Sequence, residues 1–388
     1  MPQPSLRIQH LPANFFASIE AKISAMQAAG TDVIRLDIGS PDLPPPPAVL
    51  AALCGSAAQP GHHGYQPHAG RQSLRVAWAQ YYRQLYQVDL NPETEILPLL
   101  GSKEGIFNFI QAWTDPGDVV LVPDPGYMTY RNAALFAGGE PYPVRLLPER
   151  GYAPDLQSIP AGVLRRAKML WLNYPNNPTA AAANHELFAA AASLAREYGF
   201  WLCHDAAYAR VTFDGCRAPS ILELPGAREV AVEFNSLSKS HNMAGWRVGA
   251  ALGNADALRP LFHLKSNLDS SHFLPVMDAA EAALAVDQGW IDERNSIYRE
   301  RRDLVLAGLA RMELRPATPP GSIYVWSPVP EGWTSLDFVT SALEHARVSL
   351  TPGTVFGSAG EGFMRISLTL PAEQLGEALY RLETWRNR

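Results

Sequence analysis

Between residues 95 and 255, short apolar runs alternate with segments of helical periodicity, and this alternation leaves few architectures open. Ile96–Leu100, Val119–Val122, Pro141–Arg145, Lys168–Leu172 and Phe200–His204 read as strands. Helical spacing lies between them, as in Asn184–Tyr198. Such repetition predicts an α/β domain with a mainly parallel sheet. Sheets of this kind hold ligands beyond the carboxyl ends of their strands. The residues that follow each run are therefore the ones to read for chemistry.

The densest of these stretches is Glu233–Gly249. Lys239 stands just past the apolar run of Val230, Ala231, Val232 and Phe234, with Ser236 and Ser238 behind it and Arg247 eight residues on. A lysine amine forms a Schiff base with an aldehyde, and hydroxyls with a guanidinium hold a phosphate. The plain alternative is a surface lysine beside a buried strand. The chain has only five lysines (Lys22, Lys103, Lys168, Lys239 and Lys265), so rivals are few.

Other strand ends carry matching chemistry. Ile96–Leu100 runs into Gly101-Ser102-Lys103-Glu104-Gly105, where a helix start would offer backbone N–H groups to an anion and Ser102 could add its hydroxyl or simply cap the helix. Lys103 beside it reads as solvated or ion-paired. Val119–Val122 leads to Tyr127, whose aromatic face suits a flat electron-poor ring. Lys168–Leu172 leads to Asn173-Tyr174-Pro175-Asn176-Asn177-Pro178-Thr179, in which proline-locked asparagines could donate to an oxygen. Phe200–His204 ends on Asp205, with Tyr208 next; an acid in such apolar surroundings is costly unless paired. Arg365 lies mid-strand among apolar neighbours and needs an anion, either a carboxylate ligand or an internal salt bridge. His204 could ligate a metal, but no His, Cys, Asp or Glu stands at ligand spacing to support it.

Ser-Leu-Ser-Lys followed by Asn-Met-x-Gly-Trp-Arg-x-Gly resembles the class I/II aminotransferases of pyridoxal 5′-phosphate (PLP) fold type I. The resemblance extends in order through Gly39, Tyr65, Ser102, Tyr127, Asn177, Asp205, Tyr208, Ser236, Lys239, Arg247 and Arg365, nearly the whole chain. It implies a PLP-dependent transfer of an amino group from an L-amino acid to a 2-oxo acid, with ping-pong kinetics. Lys239 would be the Schiff-base lysine, Asp205 the partner of the pyridine nitrogen, and Tyr208 and Asn177 the contacts of the phenolic oxygen. Ser102, Lys103, Ser236, Ser238 and Arg247 would surround the phosphate, and Tyr127 would stack on the ring. Gly39, Asn177 and Arg365 would meet the substrate, Arg365 at its α-carboxylate. Tyr65 would reach the phosphate of a neighbouring subunit, which makes a homodimer the expected form.

Several blocks look like the LL-diaminopimelate and alanine/aspartate aminotransferase branch, among them Pro123-Asp124-Pro125-Gly126-Tyr127 and Lys265-Ser266-Asn267-Leu268-Asp269-Ser270. Met128, His241 and Ala244 depart from that branch, which usually has proline, an aromatic and threonine there. An alanine/aspartate enzyme using 2-oxoglutarate, and a PLP-dependent lyase or decarboxylase of the same fold, remain open. A non-catalytic regulator of this fold would need an added basic DNA-binding domain.

At 388 residues the chain predicts two domains: residues 49–289 as a large PLP-binding domain and 290–388 as a small α+β domain, with the N-terminal segment 1–48 becoming part of the small domain. A net charge of −6 offers no footprint for nucleic acid, and no apolar run reaches the ~20 residues that span a bilayer. The first residues lack the apolar core of a signal peptide, and Cys54, Cys203 and Cys216 read as reduced thiols, so a cytoplasmic location is expected. Helices are also predicted at 12–30, Ala48–Cys54, Gln72–Tyr86, Leu258–Leu264, Phe273–Val286, Ile291–Ala310, Leu336–Ala346 and Pro371–Arg386. Further strands are predicted at Val33–Ile38, Glu313–Arg315, Ser322–Trp326, Ser349–Thr351 and 362–368.

Overall fold

A computed structural model of the chain describes residues 2–9 and 15–387; the start of the predicted 12–30 helix, 12–14, lies outside them. Seven strands form the central sheet, in the spatial order Ile96–Leu99, Gly249–Gly253, Ala231–Ser236, Trp201–Asp205, Ala167–Asn173, Val119–Asp124, Glu140–Arg145. Gly249–Gly253 runs antiparallel to both its neighbours, and the remaining pairs are parallel. The sheet is thus mainly parallel, and the fold is α/β.

Both faces of this sheet are covered, and the strands show why. Leu121, Leu170, Leu172, Leu202 and Ala231 point into one apolar cluster, while Val120, Val122, Met169, Trp171, Cys203 and Val232 point into another. Period-two side chains that are apolar on both sides demand helices on both sides. Gln72–Tyr86, His185–Tyr198 and Leu274–Leu284 pack on the first face; Ser102–Trp113, Thr129–Phe136 and Ala255–Lys265 pack on the second.

A separate core joins three distant parts of the chain. It contains Ile34 and Leu36, then Tyr208, Val211 and Phe213, then residues from Tyr298 to Leu382. Thr351–Pro352, Phe363–Ser367 and Tyr324–Pro328 make its antiparallel sheet. Gln288–Arg311 and Ala372–Arg386 pack against each other beside it. No helix among the described residues is long and apolar enough to cross a membrane.

Three expectations need correction. Only Ile34–Arg35 of the predicted Val33–Ile38 strand is paired, with Val348–Ser349. The predicted Ser349–Thr351 strand is split at Leu350, its two halves joining different sheets. Glu313–Arg315 is not a strand: Glu313 takes a turn conformation at φ 62°, and Met312 and Leu314 bury their side chains without a partner strand. Alternating apolar residues signal burial, and here the burial serves a helix end.

Candidate functional site

A cavity of about 540 Å³ opens beyond the carboxyl ends of the central strands, facing the second core. The register explains the convergence, since Asn173 is level with Asp205 and Asp205 with Phe234 in adjacent strands. The loops that follow therefore reach one place. Every predicted site residue lines this cavity except Tyr65: Gly39, Ser102, Lys103, Tyr127, Asn177, Asp205, Tyr208, Ser236, Ser238, Lys239, Arg247 and Arg365. Tyr65 stands away from it at 94% exposure.

One corner gathers donors. Gly101, at φ 86°, precedes the Ser102–Trp113 helix, so Ser102 is its first residue and not its side-chain cap. A Cβ on Gly101 would collide with the Arg247 guanidinium, and one on Gly249 would lie 2.8 Å from the Ser102 nitrogen. The two glycines let these loops close on each other. Arg247 itself adopts φ 57° and donates to the Ala244 carbonyl at 2.8 Å and to Ser238 Oγ at 3.4 Å. Ser236 Oγ accepts from the Ser238 N–H at 3.1 Å. No carboxylate pairs with Arg247 among the described residues. A helix N-terminus, three hydroxyls and an unpaired guanidinium make a fitting seat for a phosphate.

The floor holds Asp205, 4% exposed. Its carboxylate accepts from Tyr130 Oη at 2.7 Å and from the Ala207 N–H at 3.2 Å. Burial still pushes this carboxyl above the ordinary carboxylate range. No cationic side chain pairs with Asp205 among the described residues, and a protonated ring nitrogen fits beside it. Tyr130 stacks on Trp171 and meets Tyr127 edge-on, which fixes the aromatic wall. Behind Asp205, His204 Nδ1 contacts Glu233 at 2.8 Å and Nε2 the Tyr174 carbonyl at 3.2 Å, so His204 is a satisfied core histidine.

Lys239 follows the Ser236-capped start of the short Leu237–Ser240 helix, and its ammonium donates to the Gly39 carbonyl. Burial lowers its pKa, Arg365 and Arg247 push the same way, and Tyr324 opposes them. Sequence reasoning missed what holds this lysine's backbone. Arg294, 3% exposed on the Gln288–Arg311 helix, donates to the Lys239 carbonyl at 2.7 Å and to the Arg210 carbonyl at 2.8 Å. A signal was present: Ile291, Arg294, Tyr298, Arg301 and Val305 recur at helical spacing, which puts arginines on the apolar face.

Arg365 is the second cavity-lining arginine with no carboxylate partner among the described residues. It donates to Asn177 Oδ1 at 3.0 Å and to the Asp37 carbonyl at 3.0 Å, while its Nε is buried with no partner. Tyr324 and Phe356 flank the guanidinium at 4.0 and 4.8 Å. Tyr324, also unforeseen, meets Tyr208 through their hydroxyls at 3.2 Å. Of the three departures noted above, Met128 and Ala244 line the cavity. His241 does not; it is buried against Trp290, and burial pushes it down to about 3, so it stays neutral.

Gly39 has no room for a side chain, since a Cβ would collide with the Tyr324 hydroxyl. Gly39→Ala is therefore expected to displace Tyr324 and lower kcat/KM about tenfold, the scale of overpacking by one methyl. Adding Tyr324→Phe removes the colliding oxygen and should recover part of the loss. Steady-state kinetics of the single and double variants check this, and equal activities for Gly39→Ala and the parent would refute the packing argument.

The model of the family described as aminotransferase class I and II matches residues 31–382. An LL-diaminopimelate aminotransferase of Desulforudis audaxviator is 49% identical over 376 residues, 97% of this chain and 96% of its own. The apo structure of BacF from Bacillus subtilis superposes with a TM-score of 0.96 at 37% identity, covering 99% of this chain and 98% of that one. A double mutant of the aspartate aminotransferase from Thermus thermophilus superposes with a TM-score of 0.92 at 32% identity, covering 99% and 100%.

Proposed function

The chain belongs to the class I and II aminotransferases, PLP-dependent enzymes, and on that premise we propose that its amino donor is LL-diaminopimelate and its acceptor a 2-oxo acid such as 2-oxoglutarate. The donor rests on the 49% identity to an enzyme of that name. The observation that carries the site assignment is one cavity holding a shielded lysine between two arginines that lack carboxylate partners, Arg247 and Arg365.

Each residue then has a task. PLP, when bound, supplies an electron sink for the charge left on the substrate α-carbon. Ser102, Ser236, Ser238 and Arg247 would hold its phosphate, with Lys103 at the rim. Tyr127 would cover the ring, Asp205 would meet the ring nitrogen, and Tyr208 with Asn177 would meet the phenolic oxygen. Arg365 binds the α-carboxylate, and Gly39 keeps the backbone beside it open. Burial lowers the pKa of Lys239 and so favours its free amine, and Lys239 takes the α-proton and returns it.

The reading extends to assembly. Tyr65, too exposed and too remote to serve its own cavity, suits a homodimer in which it enters the partner's site. Residues 49–289 would be the large domain and 290–388 the small one, with 1–48 joining the small one. The small-domain core also takes in Tyr208, Val211 and Phe213. Cysteines 54, 203 and 216 are free thiols, in keeping with a cytoplasmic enzyme.

The test is a panel of single donors with 2-oxoglutarate, following the glutamate formed. LL-diaminopimelate should give the highest kcat/KM. Preference for aspartate or alanine would favour the alternative donor. Product formed without any 2-oxo acid would indicate a lyase.

A further inference from the structure

The cavity mouth carries an ion-paired rim that none of the assigned tasks uses. Arg35 donates through Nε and Nη2 to the Asp37 carboxylate, both at 2.8 Å, and through Nη1 to Glu20 Oε2 at 2.8 Å. Asp37 is 1% exposed, and its backbone carbonyl accepts from Arg365. The rim is thus tied directly to the residue placed at the α-carboxylate. Glu20 sits on the Phe15–Ala28 helix, one turn after Phe16, and both line the cavity. Ile19, Ile23 and Met26 pin that helix against Val33 and Leu343, which fixes the face it turns inward.

The charges on this rim do not balance. The buried Asp37 already neutralises Arg35 in a bidentate pair, so Glu20 is a second carboxylate on one guanidinium. Its side chain is 59% exposed against 16% for Arg35, so Glu20 is the movable arm and Arg35 the fixed one. We infer that Glu20 and Arg35 recognise the far end of the substrate by partner exchange: the Glu20 carboxylate takes a distal ammonium, and the Arg35 Nη1 it releases takes the distal carboxylate. This rests on the donor reading above and names the groups that would select a donor with an amino-acid group at both ends. With Glu20 turned outward, Arg35 Nη1 is left to a ligand carboxylate, and a dicarboxylate acceptor is accommodated without an ammonium. One rim thereby serves both halves of a ping-pong cycle.

The experiment compares LL-diaminopimelate with L-2-aminopimelate, which has the same chain and distal carboxylate but no distal amine. Glu20→Gln should lower the ratio of their kcat/KM values about tenfold, mainly through KM for diaminopimelate, the scale of a charge-assisted hydrogen bond at a half-exposed site. Lys22→Gln, on the same helix but paired with Glu344 outside the cavity, should leave the ratio as it is. A Glu20→Gln ratio within twofold of the parent, or an equal fall in Lys22→Gln, overturns the inference while the donor reading stands. A parent enzyme that does not use LL-diaminopimelate overturns both.

Discussion

Lys239→Ala should lose turnover by at least about 10⁴-fold, the combined scale of a missing covalent anchor and a missing general base. The reason lies in how the five lysines are partnered. Lys22 and Lys168 pair with Glu344 and Asp118 at the surface, and Lys103 is exposed. Lys265 is buried at 1% exposure, but it is paired with Asp269 at 2.6 Å and Glu104 at 3.6 Å. Among the described residues only Lys239 is a shielded lysine with no carboxylate partner, and its neighbours Arg365 and Arg247 are cations. That combination lowers an amine's pKa and frees its lone pair. The fold should survive the change. Arg294 holds the backbone carbonyl of residue 239, which alanine keeps, and the side chain faces a cavity. The melting temperature should move by no more than roughly 2 °C, the scale of a change near 1 kcal/mol. A small primary amine added to the medium should restore part of the rate. Lys239→Ala retaining a hundredth of the parent kcat, with no amine present, would rule out the assigned role.

Most parts of this site legible in the sequence share one property: they lie within a few residues of the end of a central strand, Gly39 and Arg365 being exceptions. Asn177 follows Ala167–Asn173, Tyr208 follows Trp201–Asp205, and Lys239 follows Ala231–Ser236. Strand periodicity locates the end, and the parallel sheet brings the ends together. What could not be read comes from the other core. Tyr324, Arg35 and Glu20 reach the cavity through packing that joins distant parts of the chain, such as the Phe15–Ala28 helix against Leu343. Arg294 also looked like one of many surface arginines on an amphipathic helix. Its spacing put it on the apolar face, but not the Arg210 and Lys239 carbonyls that it meets there. The Glu313–Arg315 misreading has the same origin, since apolar alternation reports burial and not what buries it.

Asp205→Asn should separate stability from activity. In the apoprotein, burial raises the Asp205 pKa above the ordinary carboxylate value, and neither Tyr130 nor the Ala207 N–H cancels that. A carboxyl whose folded pKa exceeds its unfolded one, near 4, stabilises fully below the unfolded value. That contribution is lost as pH rises through the folded value. Above the unfolded value the buried carboxyl therefore burdens the apoprotein, because folding must either bury the charge or take up a proton. Asparagine has the same shape and no charge, and the Tyr130 hydroxyl can turn to accept from its amide. Apo Asp205→Asn should melt higher than apo parent at pH 7, by roughly 2 °C, and the gain should vanish as pH falls below the unfolded value near 4. Turnover should move the other way. Without the carboxylate the bound ring loses the partner of its protonated nitrogen, and kcat should fall about 10²–10³-fold, the scale of removing a preorganised electrostatic group. Calorimetry of the two apoproteins across pH, beside steady-state rates of the PLP-loaded forms, tests both halves. A variant that is less stable at pH 7 yet equally active would mean that Asp205 is a structural residue paired with Tyr130 and nothing more.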